Sequence, residues 1–569
     1  MKTIGLLIPC LLVVCACQQV SLTSKKSTAI EPADLYDPTF QPQPAVIVNE
    51  SDWADAGAPT ALVRLSNKKL ALMVRDDTDG AKPFYVRGIE TGFWDTRMRP
   101  GTDFDQVFAN YRRLGANTSF FMIHWSDIEP TDGKFDFSYT DKIVELAAKN
   151  GVKIWWVLFL HCQSDHPVEL HDFWGYKLDS RDGKDYTMQW LKDENGVVYD
   201  SMAKLATLPG RWEITPAYGH PEMLTRILRM LTRLGEHYRD SNTVIGVQID
   251  NEAGFGYYTP QSLEGPQDLW SDFNPVTAKI FEEWKLKTGK SDWLSFKLDI
   301  VKYWWQNFTT AFHQGDPYKL TSFNFFADCA TAGDPHWIDL EGVDVTTYGE
   351  GNIDVASSMF YGPELGPKIW ANLDQHYNFP YELPIFISSE IGLGITFAPA
   401  TSALFQLYTV NIIERGAQGY SSYDYGSLIG QNGEFNEAGQ AYREFASMVE
   451  ANEDVIHSGV PGTGAALLTT SAAGMKISQL HLGANAMVGI LYSPEAALKA
   501  DPAAEDPVVD VEVELKALRD GSYTIDTYHK GEKTTSTSFK LNAGDTWQLS
   551  VTAVGSTDVI FLRVMRTNL

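Results

Sequence analysis

From Phe84 to Tyr423 the chain alternates short apolar runs with amphipathic stretches, and that alternation leaves few folds open. Residues 84–90, 118–124, 152–160 and 244–249 read as strands. Residues 104–114, 140–149, 221–239 and 278–288 read as helices between and after them. Residues 320–326, 343–348, 385–388 and 419–423 bring the set to eight strands. Strand and helix repeating at this spacing predict a parallel sheet, and eight repeats predict a closed (β/α)8 TIM barrel, an α/β fold. Residues 62–75, ahead of the barrel, alternate like a strand or two.

Two of the eight strands run into a glutamate. The fourth ends Gln248-Ile249-Asp250-Asn251-Glu252, and the seventh ends Ile387-Ser388-Ser389-Glu390. The strand C-termini of a barrel open onto one face, so carboxylates distant in sequence can meet across one bound molecule. Breaking a glycosidic bond takes one carboxyl to protonate the leaving oxygen and a second to meet the positive charge at the anomeric carbon. The pair fits that requirement. Carboxyl oxygens roughly 5–5.5 Å apart are expected if configuration is retained.

The two ends of the chain differ from its middle. Residues 1–17 hold Met1-Lys2, an apolar run from Ile4 to Val14, and Val14-Cys15-Ala16-Cys17. The run is well short of the roughly 20 residues that span a bilayer, so a signal peptide is expected. Its last residues resemble a bacterial lipobox with Cys17 as the lipidated residue, and Gln18 after it implies the outer membrane, periplasmic or surface facing. Residues 18–51, polar and bearing Gln41-Pro42-Gln43-Pro44, are expected to be a tether, and 52–451 the barrel. Residues 452–569 carry short alternating runs such as Met475-Lys476-Ile477-Ser478-Gln479-Leu480 and Val509-Asp510-Val511-Glu512-Val513, which predict a C-terminal antiparallel β-sandwich packed on the barrel. Of five cysteines three lie in the leader, leaving Cys162 and Cys329 as expected buried thiols. A formal net charge of −27 argues against nucleic acid or an anionic membrane face as partner.

Several segments together resemble glycoside hydrolase families 42 and 35, retaining β-galactosidases of the (β/α)8 clan A. Gln248-Ile249-Asp250-Asn251-Glu252 is similar to the acid/base motif of both families. Trp125-Ser126-Asp127-Ile128-Glu129-Pro130-Thr131-Asp132-Gly133-Lys134-Phe135-Asp136-Phe137 is similar to their second-strand Trp-x-x-x-Glu-Pro-x-x-Gly-x-x-x-Phe signature. Phe281-Glu282-Glu283-Trp284-Lys285 falls where family 42 has a similar helix. The resemblance implies Glu252 as general acid and then base, Glu390 as the nucleophile that forms a glycosyl-enzyme, and Asn251 as the partner of the sugar 2-hydroxyl. Family 35 carries an Ala-Glu-Trp-like stretch after its third strand, where this chain has Leu160-His161-Cys162-Gln163-Ser164-Asp165.

Other residues are candidates by type and place. Tyr348, expected at the end of the sixth strand, would orient Glu390 through its hydroxyl. Trp94, Trp125 and Trp370 are candidate platforms for the apolar face of a pyranose, and His161 would reach a sugar hydroxyl. Glu129 is expected as a rim or capping carboxylate, and the insert 166–218 as a wall of the cleft. The expected activity is a retaining exo-β-glycosidase, β-galactosidase first, on an oligo- or polysaccharide. An endo-acting clan A glycanase on galactan, agar-like or mannan polymers and a non-catalytic glycan-binding lipoprotein are the alternatives; two opposed carboxylates speak against the last. No metal or organic cofactor is expected, for want of His-rich ligand spacing or a phosphate-cradling glycine loop.

Overall fold

The computed structural model describes residues 35–76, 80–92, 102–160, 217–251, 255, 274–324, 342–349, 351–360, 371, 374, 381–388, 390–392, 402–430, 432–462, 464–495, 508–555 and 557–568. Four strands come first: β1 (Ile47–Asn49), β2 (Thr60–Arg64), β3 (Leu70–Asp76) and β4 (Gly80–Pro83). The barrel follows as β5 (Val86–Thr91), β6 (Thr118–His124), β7 (Lys153–Phe159), β8 (Val244–Ile249) and β9 (Leu320–Phe323). Two staves are then broken into short pieces, β10 (Val355–Ala356) with β11 (Met359–Phe360), and β12 (Ile385–Phe386) with β13 (Glu390–Gly392). The eighth is β14 (Gly419–Tyr423). Every barrel ladder is parallel: β10 pairs β9 and β12, β11 pairs β13, β13 pairs β14, and β14 returns to β5 with Gly419 opposite Val86. The expected eight-stave barrel is borne out.

Side-chain alternation explains why the middle of each of these runs is apolar. In β6 and β7, Phe120, Met122, Trp155, Val157 and Phe159 fill the barrel interior, while Phe121, Ile123, Ile154, Trp156 and Leu158 belong to the larger cluster shared with the helices. The lower interior is crowded by Phe120 and Trp155, stacked with centroids 5.6 Å apart. Glycine on the flanking staves makes that possible: a Cβ at Gly88 would lie 2.6 Å from the Phe120 ring and one at Gly246 2.7 Å from the Trp155 ring. Helices Phe104–Leu114, Ser138–Lys149, Pro221–Tyr238, Pro275–Thr288 and Trp293–Gly315 follow their staves on the outside. The first is started by Asp103, whose Oδ1 accepts from Gln106 N, and stopped by Gly115 at φ 79°. No described helix is long and apolar enough to cross a membrane.

Two expectations need correction. Residues 343–348 do not form the sixth strand: Val345–Tyr348 is a 3-10 turn, and the stave is 355–360. The reason is local, since Asp344 accepts from Thr346 N (2.8 Å) while its own N–H donates to Thr347 Oγ1 (3.2 Å), a reciprocal cap that winds the chain. The expected tether 18–51 is folded onto the barrel from Leu35 onward. Tyr36 packs edge-on against Tyr303, Gln43 N–H donates to Thr310 Oγ1, Ala45 N–H to Asp354 Oδ1 and Val46 N–H to the Pro317 carbonyl. β1 then joins β2, and Leu62, Leu70, Leu72 and Val74 share a core with the lower barrel interior, so this sheet stoppers the N-terminal end.

Past the barrel come helices Glu437–Glu450 and Glu453–Ser458, then eight antiparallel strands in a three-stranded and a five-stranded sheet. Leu468, Val513 and Leu515 of one sheet meet Met487, Ile525 and Leu562 of the other in a common core, the expected sandwich. It is fastened to the barrel by Arg563, which donates to both oxygens of Asp454 (2.7 and 2.8 Å), by Lys476 on Glu414 (3.0 Å), and by Phe445 against Phe561.

Candidate active site

Stave four delivers the site by a sharp turn. Asp250, directly after β8, is buried and sits at φ 64°, a left-handed conformation that Asp and Asn tolerate better than most residues. Its Oδ1 accepts from Leu160 N (3.0 Å) at the end of stave three and from Asn251 N (3.0 Å), and its Oδ2 takes the Tyr218 hydroxyl. The carboxylate thus holds the turn that presents Asn251. Tyr218, the last residue of the insert, is itself wedged among Trp304, Trp305 and Phe308.

Asn251 is held by two other amides. Its Oδ1 accepts from Gln248 Nε2 (3.2 Å) and from Asn324 Nδ2 (2.9 Å), and Gln248 Nε2 also donates to Asn324 Oδ1 (2.7 Å). Asn324 follows β9, and its Nδ2 lies 3.8 Å from Met359 Sδ in β11. Met359 is in register with Glu390, the first residue of β13. The network therefore runs from stave four through stave five to stave six, next to the backbone of the second glutamate. Beneath Glu390, Ser388 Oγ donates to the Ser358 carbonyl (3.1 Å) and ties staves six and seven.

The remaining candidates divide. Tyr348 is buried in the turn before stave six, and its hydroxyl donates to the Ser357 carbonyl at 2.7 Å. Trp125 is no stacking platform: it is 0% exposed, and its indole N–H donates to Glu129 Oε2 at 2.8 Å. Glu129 is not at the rim but fully buried, accepting also from Gly133 N (2.6 Å) and from Arg229, which donates to Asp132 as well (2.6 Å). The second-strand signature is thus an internal clasp between its own loop and helix Pro221–Tyr238. At the end of stave one, Thr91 Oγ1 bonds the Tyr111 hydroxyl and Ser119 Oγ; burial pushes the Tyr111 pKa up, so it remains a neutral donor to the Ile89 carbonyl. Glu252, Trp94, His161, Trp370, Cys17, Cys162, Cys329 and residues 166–216 lie outside the described residues, as does the Glu390 side chain.

Sequence reading missed Asp250, Tyr218, Gln248 and Asn324. Gln248 and Asp250 stand inside the motif already singled out, and an Asn flanked by Phe323 and Phe325 within the strand expected over 320–326 was the available signal for Asn324. Nothing local marks Tyr218.

Comparison with known proteins bears on one part of this architecture. Residues 100–157, which hold stave two, most of stave three and the loop side of the clasp, match the model of glycoside hydrolase family 42, described as Beta-galactosidase. The resemblance read from the Trp125 to Phe137 signature is thereby borne out. Beta-galactosidase BgaB of a Geobacillus species is 25% identical over 142 residues, which is 25% of this chain and 18% of that protein. The bgaB protein of Geobacillus kaustophilus matches with the same identity and shares. The match thus spans about a fifth of the length of these curated relatives. Among solved structures, a family 39 glycoside hydrolase from Bacteroides cellulosilyticus WH2 is 12% identical, with 88% of this chain and 87% of that one covered at a TM-score of 0.45. Endo-glycoceramidase II from Rhodococcus sp. is 15% identical, with 86% and 99% covered at a TM-score of 0.42.

Proposed function

We propose that the chain is a retaining exo-β-glycosidase, with β-galactosides as the first substrates to try, in which Glu252 is the acid/base and Glu390 the nucleophile. One observation carries the reading. A buried, hydrogen-bonded amide, Asn251, stands one residue before Glu252 at the stave-four end of a closed barrel, and its network reaches the strand position paired with Glu390. The match of residues 100–157 to family 42 supports it independently.

The chemistry follows in two balanced steps. Glu252 gives its proton to the glycosidic oxygen as the bond to the anomeric carbon breaks, while the Glu390 carboxylate bonds to that carbon and the alcohol leaves. A water then loses a proton to Glu252, adds to the anomeric carbon, and releases Glu390 as carboxylate. Two inversions give net retention. The Asn251 amide donates to the 2-hydroxyl, a contact that strengthens as the ring gains oxocarbenium character.

A panel of nitrophenyl β-glycosides tests the activity. Glu390→Gly with azide should regain turnover and give the α-glycosyl azide, whereas Glu252→Ala with azide should give the β-product. Wild-type protein that binds glycans but turns over none of the panel sinks the reading. The lipobox-like Val14-Cys15-Ala16-Cys17 adds a lipid anchor in the bacterial outer membrane to the proposal. Cys17→Ser should leave the membrane fraction with activity intact, and a variant that stays membrane-bound defeats the anchor.

A further inference from the structure

We propose that Asn324 is a positioning residue that sets substrate discrimination at the 2-hydroxyl, by locking which end of the Asn251 amide meets the sugar. The inference rests on the glycosidase reading above. Three carboxamides meet at this point, and of the two arrangements of their ends that pair every contact, only one also turns an N–H of Asn324 toward Met359 Sδ. Gln248 Nε2 has two hydrogens and two acceptors within reach, Asn324 Oδ1 at 2.7 Å and Asn251 Oδ1 at 3.2 Å. Asn324 Nδ2 spends one hydrogen on Asn251 Oδ1 at 2.9 Å and directs the other at Met359 Sδ. Rotating the Asn251 amide alone by half a turn would set its NH2 against two NH2 groups, and rotating all three together would turn the Asn324 oxygen on the Met359 sulfur. The oxygen of Asn251 therefore points inward and its NH2 outward.

Burial agrees with that polarity. Gln248 and Asn324 are 1% and 2% exposed, whereas Asn251, the end member of the network, is 6% exposed. Its amide nitrogen has no hydrogen-bond partner among the described residues. The group left to meet a ligand is thus a donor, suited to the lone pairs of a hydroxyl. Gln248 sits on the same stave as Asn251, whereas Asn324 comes from stave five and supplies the shorter of the two bonds to Asn251 Oδ1, 2.9 Å against 3.2 Å. A site built to hydrogen-bond a hydroxyl rejects an analogue lacking it, because the site's polar group is then left unpaired.

Asn324→Asp tests this with almost no change in volume. The new carboxylate oxygen facing Asn251 Oδ1 turns the Asn251 amide over, so the 2-hydroxyl meets an oxygen in place of an NH2. The readout is the ratio of kcat/KM for a β-glycoside to that for its 2-deoxy analogue. That ratio should fall by about tenfold or more, mainly through kcat, because the contact is strongest in the transition state. Asn324→Ser, which removes the amide without adding charge, should lower the ratio less, and circular dichroism reports folding of both. Asn251→Ala should lower the ratio as Asn324→Asp does, and the double variant should lower it no further. Activity that falls for both substrates equally, or an additive double variant, overturns the positioning role. Should wild-type protein lack turnover, the glycosidase reading alone fails, and the same comparison moves to equilibrium binding of the sugar and its 2-deoxy analogue. There, discrimination lost in Asn324→Asp sustains the role and discrimination retained overturns it.

Discussion

Replacing Lys69 with methionine should leave stability near pH 7 almost unchanged and lower it in alkali. Lys69 precedes β3 at the junction with the helix Glu453–Ser458, is 0% exposed, and donates from Nζ to the carbonyls of Ile456 (3.1 Å) and Gly459 (3.0 Å). No carboxylate among the described residues pairs with it, and burial pulls its pKa down to about 7. A neutral amine carries two N–H hydrogens, which the two carbonyls satisfy. An unfolded lysine keeps its proton to about pH 10.4, so between pH 7 and that value the unfolded chain binds more protons and stability rises with pH. From pH 7 to 9.5 the rise is about 3 kcal/mol. His457, packed nearby with Nε2 2.8 Å from the Leu72 carbonyl, is pulled down to about 3 by burial and then by Lys69, and stays neutral throughout that window. Methionine abolishes the proton linkage but deprives two buried carbonyls of a donor, at about 1–3 kcal/mol each. The two effects are of similar size at pH 7, and by pH 9.5 the variant should be the less stable by about 3 kcal/mol. Urea unfolding of both proteins at the two pH values, followed by tryptophan fluorescence, measures the difference, in which other titrating groups cancel. A difference between wild type and variant that is flat from pH 7 to 9.5 would refute the reasoning.

Asp250→Ala removes three bonds and puts alanine at φ 64°, so it should cost about 4 kcal/mol or more and abolish activity, while Asp250→Asn keeps both backbone bonds and costs about 1 kcal/mol. Thermal unfolding and kcat/KM separate the two; an alanine variant with wild-type melting contradicts the assigned role. Gly246→Ala drives a Cβ into the Trp155 ring and should destabilise by about 1–3 kcal/mol, with partial rescue by Trp155→Phe in the double variant. Arg229→Met strands the buried Glu129 carboxylate and should cost about 3–5 kcal/mol, measured by urea unfolding, whereas a loss below about 1 kcal/mol would reduce the clasp to a surface contact.

Most staves were legible because a strand buried on both faces is apolar at most positions, and that is written in consecutive residues. Residues 118–124 and 419–423 fold as read. The sixth stave was not legible: Val-Ala-Ser-Ser-Met-Phe, from Val355 to Phe360, has the texture of a loop and is extended because β9, β12 and β13 lie on either side of it. Residues 343–348 looked more strand-like but held a local cap. The segment from Leu35 read as a tether because its partners Thr310, Pro317 and Asp354 lie far away in the chain.

The candidate site shows the same division. The amino-acid sequence by itself determined that a glutamate follows each of two apolar runs and that Asn251 precedes one of them, since residue type and spacing are properties of the chain. Whether Trp125 faces a ligand or the core, and which end of the Asn251 amide faces outward, depended on Glu129, Gln248 and Asn324. Asn324 is 73 residues from Asn251, and no local propensity spans that distance. Closure of the barrel brings the two together, and the pairing of their buried amides with each other and with Met359 then decides how they face.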